Sequence, residues 1–301
     1  MRRRTLLAAA LTVGFLITGC TSTTDEATSP TPGTQEGFPV TVGDLTLEAQ
    51  PTRIVSLSPT VTEMLFAIGA GEQVVAVDEQ SNYPPEAPVT DLSGFNLNVD
   101  ALVTYDPDLV VISSFAGDLV PQLETLDIPV YVAPDNPTSM DDVYAQITEL
   151  GALTGRVEEA EALVAQMESE LTALFDRAPK REEPLTYFIE IDESLWTYTA
   201  DSLISVLFAE VGLENIVDEP GSISVQLSAE VLFEADPDII FLIDTRYGVD
   251  AESVAARDGW DALQAVRNGQ IIELDTDMAS RWGPRLVDLM ADVVDVVSQV
   301  A

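Results

Sequence analysis

The chain has 301 residues, 46% of them hydrophobic, which is enough for two ordinary domains with a buried core each. Its 52 acidic against 13 basic residues give a formal net charge of −39, a field that repels nucleic acid and anionic surfaces and excludes a nucleic-acid-binding role. With no histidine and a single cysteine, histidine-based triads, zinc hydrolase sites and Cys–His nucleophiles are excluded too.

Arg2-Arg3-Arg4 followed by an apolar run from Leu6 to Leu16 has the form of a secretory leader. The run falls short of the roughly 20 residues that span a bilayer. It ends in Ile17-Thr18-Gly19-Cys20, aliphatic and small residues before the only cysteine, a pattern that resembles a bacterial lipobox. A thiol at a leader cleavage site with no second cysteine to pair with is read as an acylation site. Residues 1–19 are therefore expected to be a signal peptide. Residues 20–37, rich in Thr, Ser, Pro and acids, are expected to tether the folded body to the lipid. The acidity is read as a solvated surface suited to saline surroundings rather than as a cation site.

The folded body is expected from Phe38. Arg53 to Leu57 is a short apolar strand, and Ser58-Pro59 supplies an N-cap and an N1 proline for a helix that Gly69 stops. Val74 to Val77 reads as a strand, Asp100 to Thr104 as a helix, and Leu109–Ile112 and Val130–Val132 as further strands. Alternating strands and helices imply a mainly parallel sheet. From Met140 the pattern turns helical, breaks between Gly151 and Gly155, and resumes with an apolar stripe through Ala160, Leu163, Val164, Met167, Leu171 and Leu174. Pro179 to Pro184 ends this helix, and a second αβ series begins at Tyr187. The fold class is thus α/β: two Rossmann-like α/β lobes, 38–153 and 181–301, joined by one long rigid helix within 154–180.

One unit recurs. Asp100-Ala101-Leu102 with Asp106-Pro107-Asp108 and an apolar strand returns at the same spacing as Glu230-Val231-Leu232 with Asp236-Pro237-Asp238 and an apolar strand. A helix–turn–strand unit used once per lobe is what a pseudo-symmetric, two-lobed chain would show.

The stretch from Arg53 to Gly69, the segment Ser81-Asn82-Tyr83-Pro84-Pro85-Glu86, and Asp106 to Val110 resemble the helical-backbone solute-binding proteins of ABC importers for ferric siderophores, haem and vitamin B12. The resemblance covers about residues 40–298. Asp277-Met278-Ala279-Ser280-Arg281-Trp282-Gly283-Pro284-Arg285 is similar to a pattern of the cobalamin-binding branch. The resemblance implies a monomer with a cleft between the lobes and no activity as an enzyme. It implies capture of a metal chelate, foremost a corrinoid and otherwise a ferric siderophore or haem, and delivery to a permease dimer with its ATPase subunits. The lipid anchor would be the only membrane contact.

Capture of a large, flat, partly apolar chelate needs aromatic faces and a few directed polar groups. Tyr83, Phe95 and Phe115 in the first lobe and Trp196, Tyr198 and Trp282 in the second are candidates for the walls. Arg246 and Arg281, with Asp277 in the same motif, are candidates for the polar grip. Arg285 reads as structural. Without histidine, haem would need a tyrosine axial ligand, with Tyr83, Tyr198 or Tyr247 available. Asp100 and Glu230 each lie two residues after a candidate N-cap, Asn98 or Ser228, where an acid favours the helix dipole. The resemblance implies that they also dock the two lobes on the two permease subunits. Neither a phosphate-cradling loop nor a nucleophile elbow occurs. A carboxylate-pair hydrolase on the cell surface is the distant alternative, and no cofactor or resident metal is expected.

Overall fold

A computed structural model describes residues 37–300. The expected signal peptide, Cys20 and all but the last residue of the tether lie outside the described residues. The hairpin β1 (Val40–Val42) and β2 (Leu45–Leu47) comes first. Then β3 (Ile54–Leu57), α1 (Pro59–Ala67), β4 (Val74–Val77), α2 (Val99–Leu102), β5 (Leu109–Ser113), α3 (Val120–Glu124) and β6 (Val130–Ala133) build a parallel sheet of order β4-β3-β5-β6. Every residue of β3 and β5 is buried, and apart from Ser56 and Ser113 all are apolar, as in central strands covered on both faces.

The chain leaves this sheet through α4 (Met140–Thr154) and α5 (Val157–Arg177). The second lobe follows with β7 (Leu185–Glu190), β8 (Trp196–Tyr198), α6 (Leu203–Ala209), β9 (Leu213–Asn215), β10 (Ser224–Gln226) and α7 (Ala229–Ala235). It is completed by β11 (Ile239–Leu242), α8 (Ala251–Ala255), α9 (Gln264–Arg267), β12 (Ile271–Glu273), α10 (Thr276–Ser280) and α11 (Leu286–Gln299). Its parallel sheet has the order β12-β11-β7-β9, and β8 pairs antiparallel with β10.

The break in the helical stretch falls at Gly155, which adopts the left-handed conformation (φ 68°) that ends α4. Gly151 serves the junction differently: a Cβ there would meet the Cβ of Ala160 at 2.4 Å, so glycine lets α5 start against α4. The stripe expected on α5 is present, with Ala160, Met167 and Leu171 buried and Leu163, Val164 and Leu174 partly so. Val157, at its start, is exposed. One apolar cluster contains Leu65 and Val111 of the first lobe, Met167 and Leu171 of α5, and Tyr187, Phe241 and Val293 of the second. The two lobes therefore share a continuous core.

The remaining differences from the sequence reading are local. Ser58 occupies the N-cap position of α1 in an extended conformation, but its side chain makes no capping bond. The helix expected at Asp100 to Thr104 is the single turn α2 followed by a 3₁₀ turn at Val103–Tyr105. Asn98 and Ser228 cap α2 and α7 through Ala101 N and Val231 N, which puts Asp100 and Glu230 in equivalent, exposed first turns.

The repeated Asp-Pro-Asp does the same work twice. Asp106 and Asp236 are both left-handed. Asp108 Oδ2 accepts from Thr52 N and Oγ1, and Asp238 Oδ2 accepts from Thr186 N and Oγ1. Each carboxylate pins the start of its own strand to that of the neighbouring one.

Candidate ligand-binding site

Side chains that follow the carboxyl ends of parallel strands converge outside the sheet edge, and both sheets point those ends at one cleft of ≈ 580 Å³. The first lobe contributes Ser58 and Thr60 after β3, Asp78 and Gln80 after β4, Ser113 to Phe115 at the end of β5, and Asp135 after β6. The second contributes Ile191 after β7, Ile243, Arg246 and Tyr247 after β11, and Thr276 and Asp277 after β12. A smaller extension of ≈ 70 Å³ opens beside Tyr198, Leu203, Ile204 and Trp282.

Of the nine candidate residues, Phe95, Phe115, Tyr198, Arg246, Asp277, Arg281 and Trp282 line this cleft. Phe95 and Phe115 stack with ring centroids 5.5 Å apart and planes 13° from parallel, while remaining 76% and 62% exposed. Two rings held face to face in water at a cleft mouth form a platform for a third flat surface. On the other lip Tyr247 is 77% exposed, with the Arg246 guanidinium 6.0 Å from its ring centre. Tyr83 and Trp196 stand outside the lining. Tyr83 lies under the Arg285 guanidinium at 4.3 Å, and Trp196 is on β8, paired with Gln226 of the ribbon.

The arginines of the cleft are engaged within the protein. Arg281 is 7% exposed. Its Nη1 donates to Glu63 Oε1 (2.8 Å) and Asn82 Oδ1 (3.0 Å), and its Nη2 donates to the Gln80 carbonyl (2.9 Å) and reaches Asp277 Oδ1 at 2.9 Å. Arg246 Nη1 donates to the same Asp277 oxygen at 2.8 Å, and Asn82 Nδ2 donates to Asp277 Oδ2 at 2.7 Å. Arg285 donates to both oxygens of Glu63, at 2.9 and 2.5 Å, and this acceptor holds its guanidinium above the usual value. Trp282 Nε1 donates to Gln146 Oε1 of α4 at 3.0 Å. The segment Asp277–Arg285 thus ties the second lobe to α1, α4 and the Gln80–Asn82 loop of the first.

Two features escaped the sequence reading. Glu63 is a buried acid on α1 that anchors both Arg281 and Arg285, and its signal is a lone charge among apolar neighbours. Asp78 is a buried acid lining the cleft, and its position directly after a parallel strand is the feature that could have found it.

Residues 54–278 match the family of periplasmic binding proteins. An uncharacterised ABC transporter substrate-binding lipoprotein, YvrC of Bacillus subtilis, is 30% identical, the match covering 98% of this chain and 97% of that protein. The cobalamin-binding protein of Halobacterium salinarum is 29% identical over 84% of this chain and 73% of its own length. Among solved structures, the periplasmic haem-binding protein RhuT of Roseiflexus sp. RS-1 superposes with a TM-score of 0.74 at 26% identity, covering 83% of this chain and 99% of that one. No helix of the described residues is long and apolar enough to cross a membrane. With its two parallel-sheet lobes, shared cleft and matching sequence, this chain belongs to the periplasmic binding protein family as an extracytoplasmic solute-binding component of an ABC importer, not an enzyme.

Proposed function

We propose that the solute is a corrinoid, gripped in the inter-lobe cleft and delivered to an ABC permease. The observation that carries this reading is the chemistry of the cleft. Exposed aromatic faces at Phe95, Phe115 and Tyr247 offer dispersion to a large flat ligand, while Asp277 and Glu63 already neutralise Arg246 and Arg281. A haem brings two carboxylates and a ferric catecholate brings several negative charges. Either would enter a cleft also lined by Asp78 and Asp135 with no uncommitted cation among its described lining residues. A corrinoid, edged with neutral carboxamides, meets no such opposition.

The tyrosines point the same way. Tyr198 lies in the cleft, but burial raises its phenol and keeps it from the phenolate form that ferric iron favours. Tyr83 is outside the lining, which leaves Tyr247 as the haem ligand candidate. The resemblance to cobalamin-binding relatives supports the same choice.

The rest of the proposal follows the resemblance. Cys20 carries the lipid anchor, residues 20–37 are the tether, and Asp100 and Glu230 dock one lobe each on the permease. The protein works as a monomer, with α5 as a stiff link between lobes 38–153 and 181–301. A shared core and the Glu63 ties oppose hinge motion, so the site is largely preformed. The test is a titration of the purified protein with cyanocobalamin, haemin and a ferric hydroxamate, followed by visible absorption and Trp fluorescence. A cobalamin band change at one equivalent is expected, and tight haemin uptake without it would reverse the assignment.

A further inference from the structure

Asp78 follows β4 directly and lines the cleft, yet it is 3% exposed. Its Oδ1 accepts from the backbone N–H groups of Gln80 (2.7 Å) and Ser81 (2.9 Å), which fixes the plane of the carboxyl. Its Oδ2 is buried with no hydrogen-bond partner. Native interiors rarely leave such an atom orphaned, because its lost hydration is not replaced. Beside it stands Gly94, where a Cβ would come within 3.2 Å of Oδ2 and of the Leu57 carbonyl.

We propose that Asp78 Oδ2 is the acceptor for an N–H donor of the ligand, so that the cleft selects a neutral ligand edged with carboxamides. This rests on reading the cleft as the capture site and names the chemistry that site recognises. A carboxylate-edged ligand would set oxygen against oxygen here. A carboxamide supplies the missing bond to a preoriented oxygen.

Burial, opposed by the two backbone N–H groups and more weakly by the Ser81 side chain and assisted by Glu79, pushes the Asp78 carboxyl up to about 6. The facing elements bring Arg281, Arg246, Asp277 and Asp135 to the same cleft, and none of them bonds Oδ2. Because the folded value is raised above 3.8, the stability this group contributes is present below that pH and is lost as pH rises through about 6. A ligand N–H favours the carboxylate, so affinity should rise as pH passes upward through the same window.

Asp78→Asn tests this, because it keeps Oδ1 for the turn and replaces Oδ2 by a donor. Both proteins are titrated with cyanocobalamin, a ferric hydroxamate and haemin at about pH 5 and about pH 7.5, either side of the titration. For the probe that the wild type binds, the variant should lose roughly 10- to 100-fold at the higher pH, the usual loss for a hydrogen bond to a charged group. The wild type should bind more weakly at the lower pH and the variant equally at both. Without ligand at the higher pH the variant should melt at the higher temperature, since it removes a buried charge.

Equal affinity of the two proteins for the bound probe, or a wild-type affinity indifferent to pH, would overturn the acceptor role. A variant that melts lower would assign Oδ2 a structural partner and overturn it as well. If the ferric hydroxamate is bound and cyanocobalamin is not, the corrinoid reading falls alone and the same comparison on the hydroxamate decides Asp78, whereas tight binding of haemin alone overturns the corrinoid reading and the carboxamide selectivity together. Binding of none of the three overturns both.

Discussion

Arg281 of the second lobe donates to Glu63 of α1 in the first at 2.8 Å, both side chains being almost fully buried. Taking Arg281 away leaves the buried Glu63 carboxylate with Arg285 alone of its two arginines. Arg281→Ala should cost about 3 kcal/mol, less than the loss of an isolated buried pair because Arg285 still holds Glu63. The melting temperature should fall by roughly 6–12 °C for a protein of this size. Arg281→Lys should recover part of the loss, because an ammonium cannot reproduce the four contacts of the planar group. A fall of less than about 2 °C in calorimetry would show that the inter-lobe tie contributes little.

Phe95 and Phe115 make the opposite case, since they are exposed in the free protein. Phe95→Ala or Phe115→Ala should leave the melting temperature within about 2 °C, as surface changes do. Ligand affinity should drop roughly 5- to 150-fold, by the loss of about 1–3 kcal/mol of aromatic contact. Calorimetric titration reads both effects, and wild-type affinity in both variants would remove the platform from the site.

Glu190, fully buried at the end of β7, receives two hydrogen bonds of 2.6 Å from Arg257, and Asp244 lies beside the pair. Burial raises both carboxyls, and Arg257 opposes the rise. Arg257→Ala should destabilise by about 3–5 kcal/mol at neutral pH. Raised acids contribute stability in acid and lose it as pH rises, so the gap to wild type should be widest at alkaline pH and narrow toward acid. Urea midpoints across that range check the sign, and a gap that widens toward acid would contradict it.

Asp100 and Glu230 occupy equivalent first turns, and each should contribute about 0.3–1 kcal/mol through the helix dipole. If they also meet the permease, Asp100→Ala/Glu230→Ala should depress uptake in cells and in vesicles while leaving ligand affinity in solution unchanged. Added salt should depress wild-type uptake and so narrow its gap to the variant, because exposed charge pairs are screened. Undiminished uptake would leave only the helix role.

Cys20→Ser should move the protein from the membrane to the soluble fraction. Retention on the membrane would place the anchor elsewhere.

The parts of the fold that were legible are those in which one period dominates. β4 was readable to the residue because an unbroken apolar run between polar flanks has few alternatives, and the junction at Gly155 because a left-handed cap needs glycine. The three-residue strands β1, β2, β8 and β10 carry too little pattern to be seen. In the cleft, aromatic residues on loops could be picked out, but whether a loop ring faces the cavity is a tertiary fact. Phe95 lines it, whereas Trp196 stands outside the lining although Tyr198 of the same strand is within it. Arginine scarcity marked Arg246 and Arg281 without revealing that Asp277 binds both. Asp78 and Glu63 were two acids among 52, distinguishable only by the burial that folding imposes.

The central claim, that the inter-lobe cleft captures a corrinoid, is tested most directly by equilibrium dialysis of cyanocobalamin against the wild type and a Phe95→Ala/Phe115→Ala double variant. The account predicts one equivalent retained by the wild type, undisturbed by an equal concentration of haemin, with at least a roughly tenfold weaker hold by the variant. Cyanocobalamin passing freely through the wild-type solution, or held equally by the double variant, would contradict it.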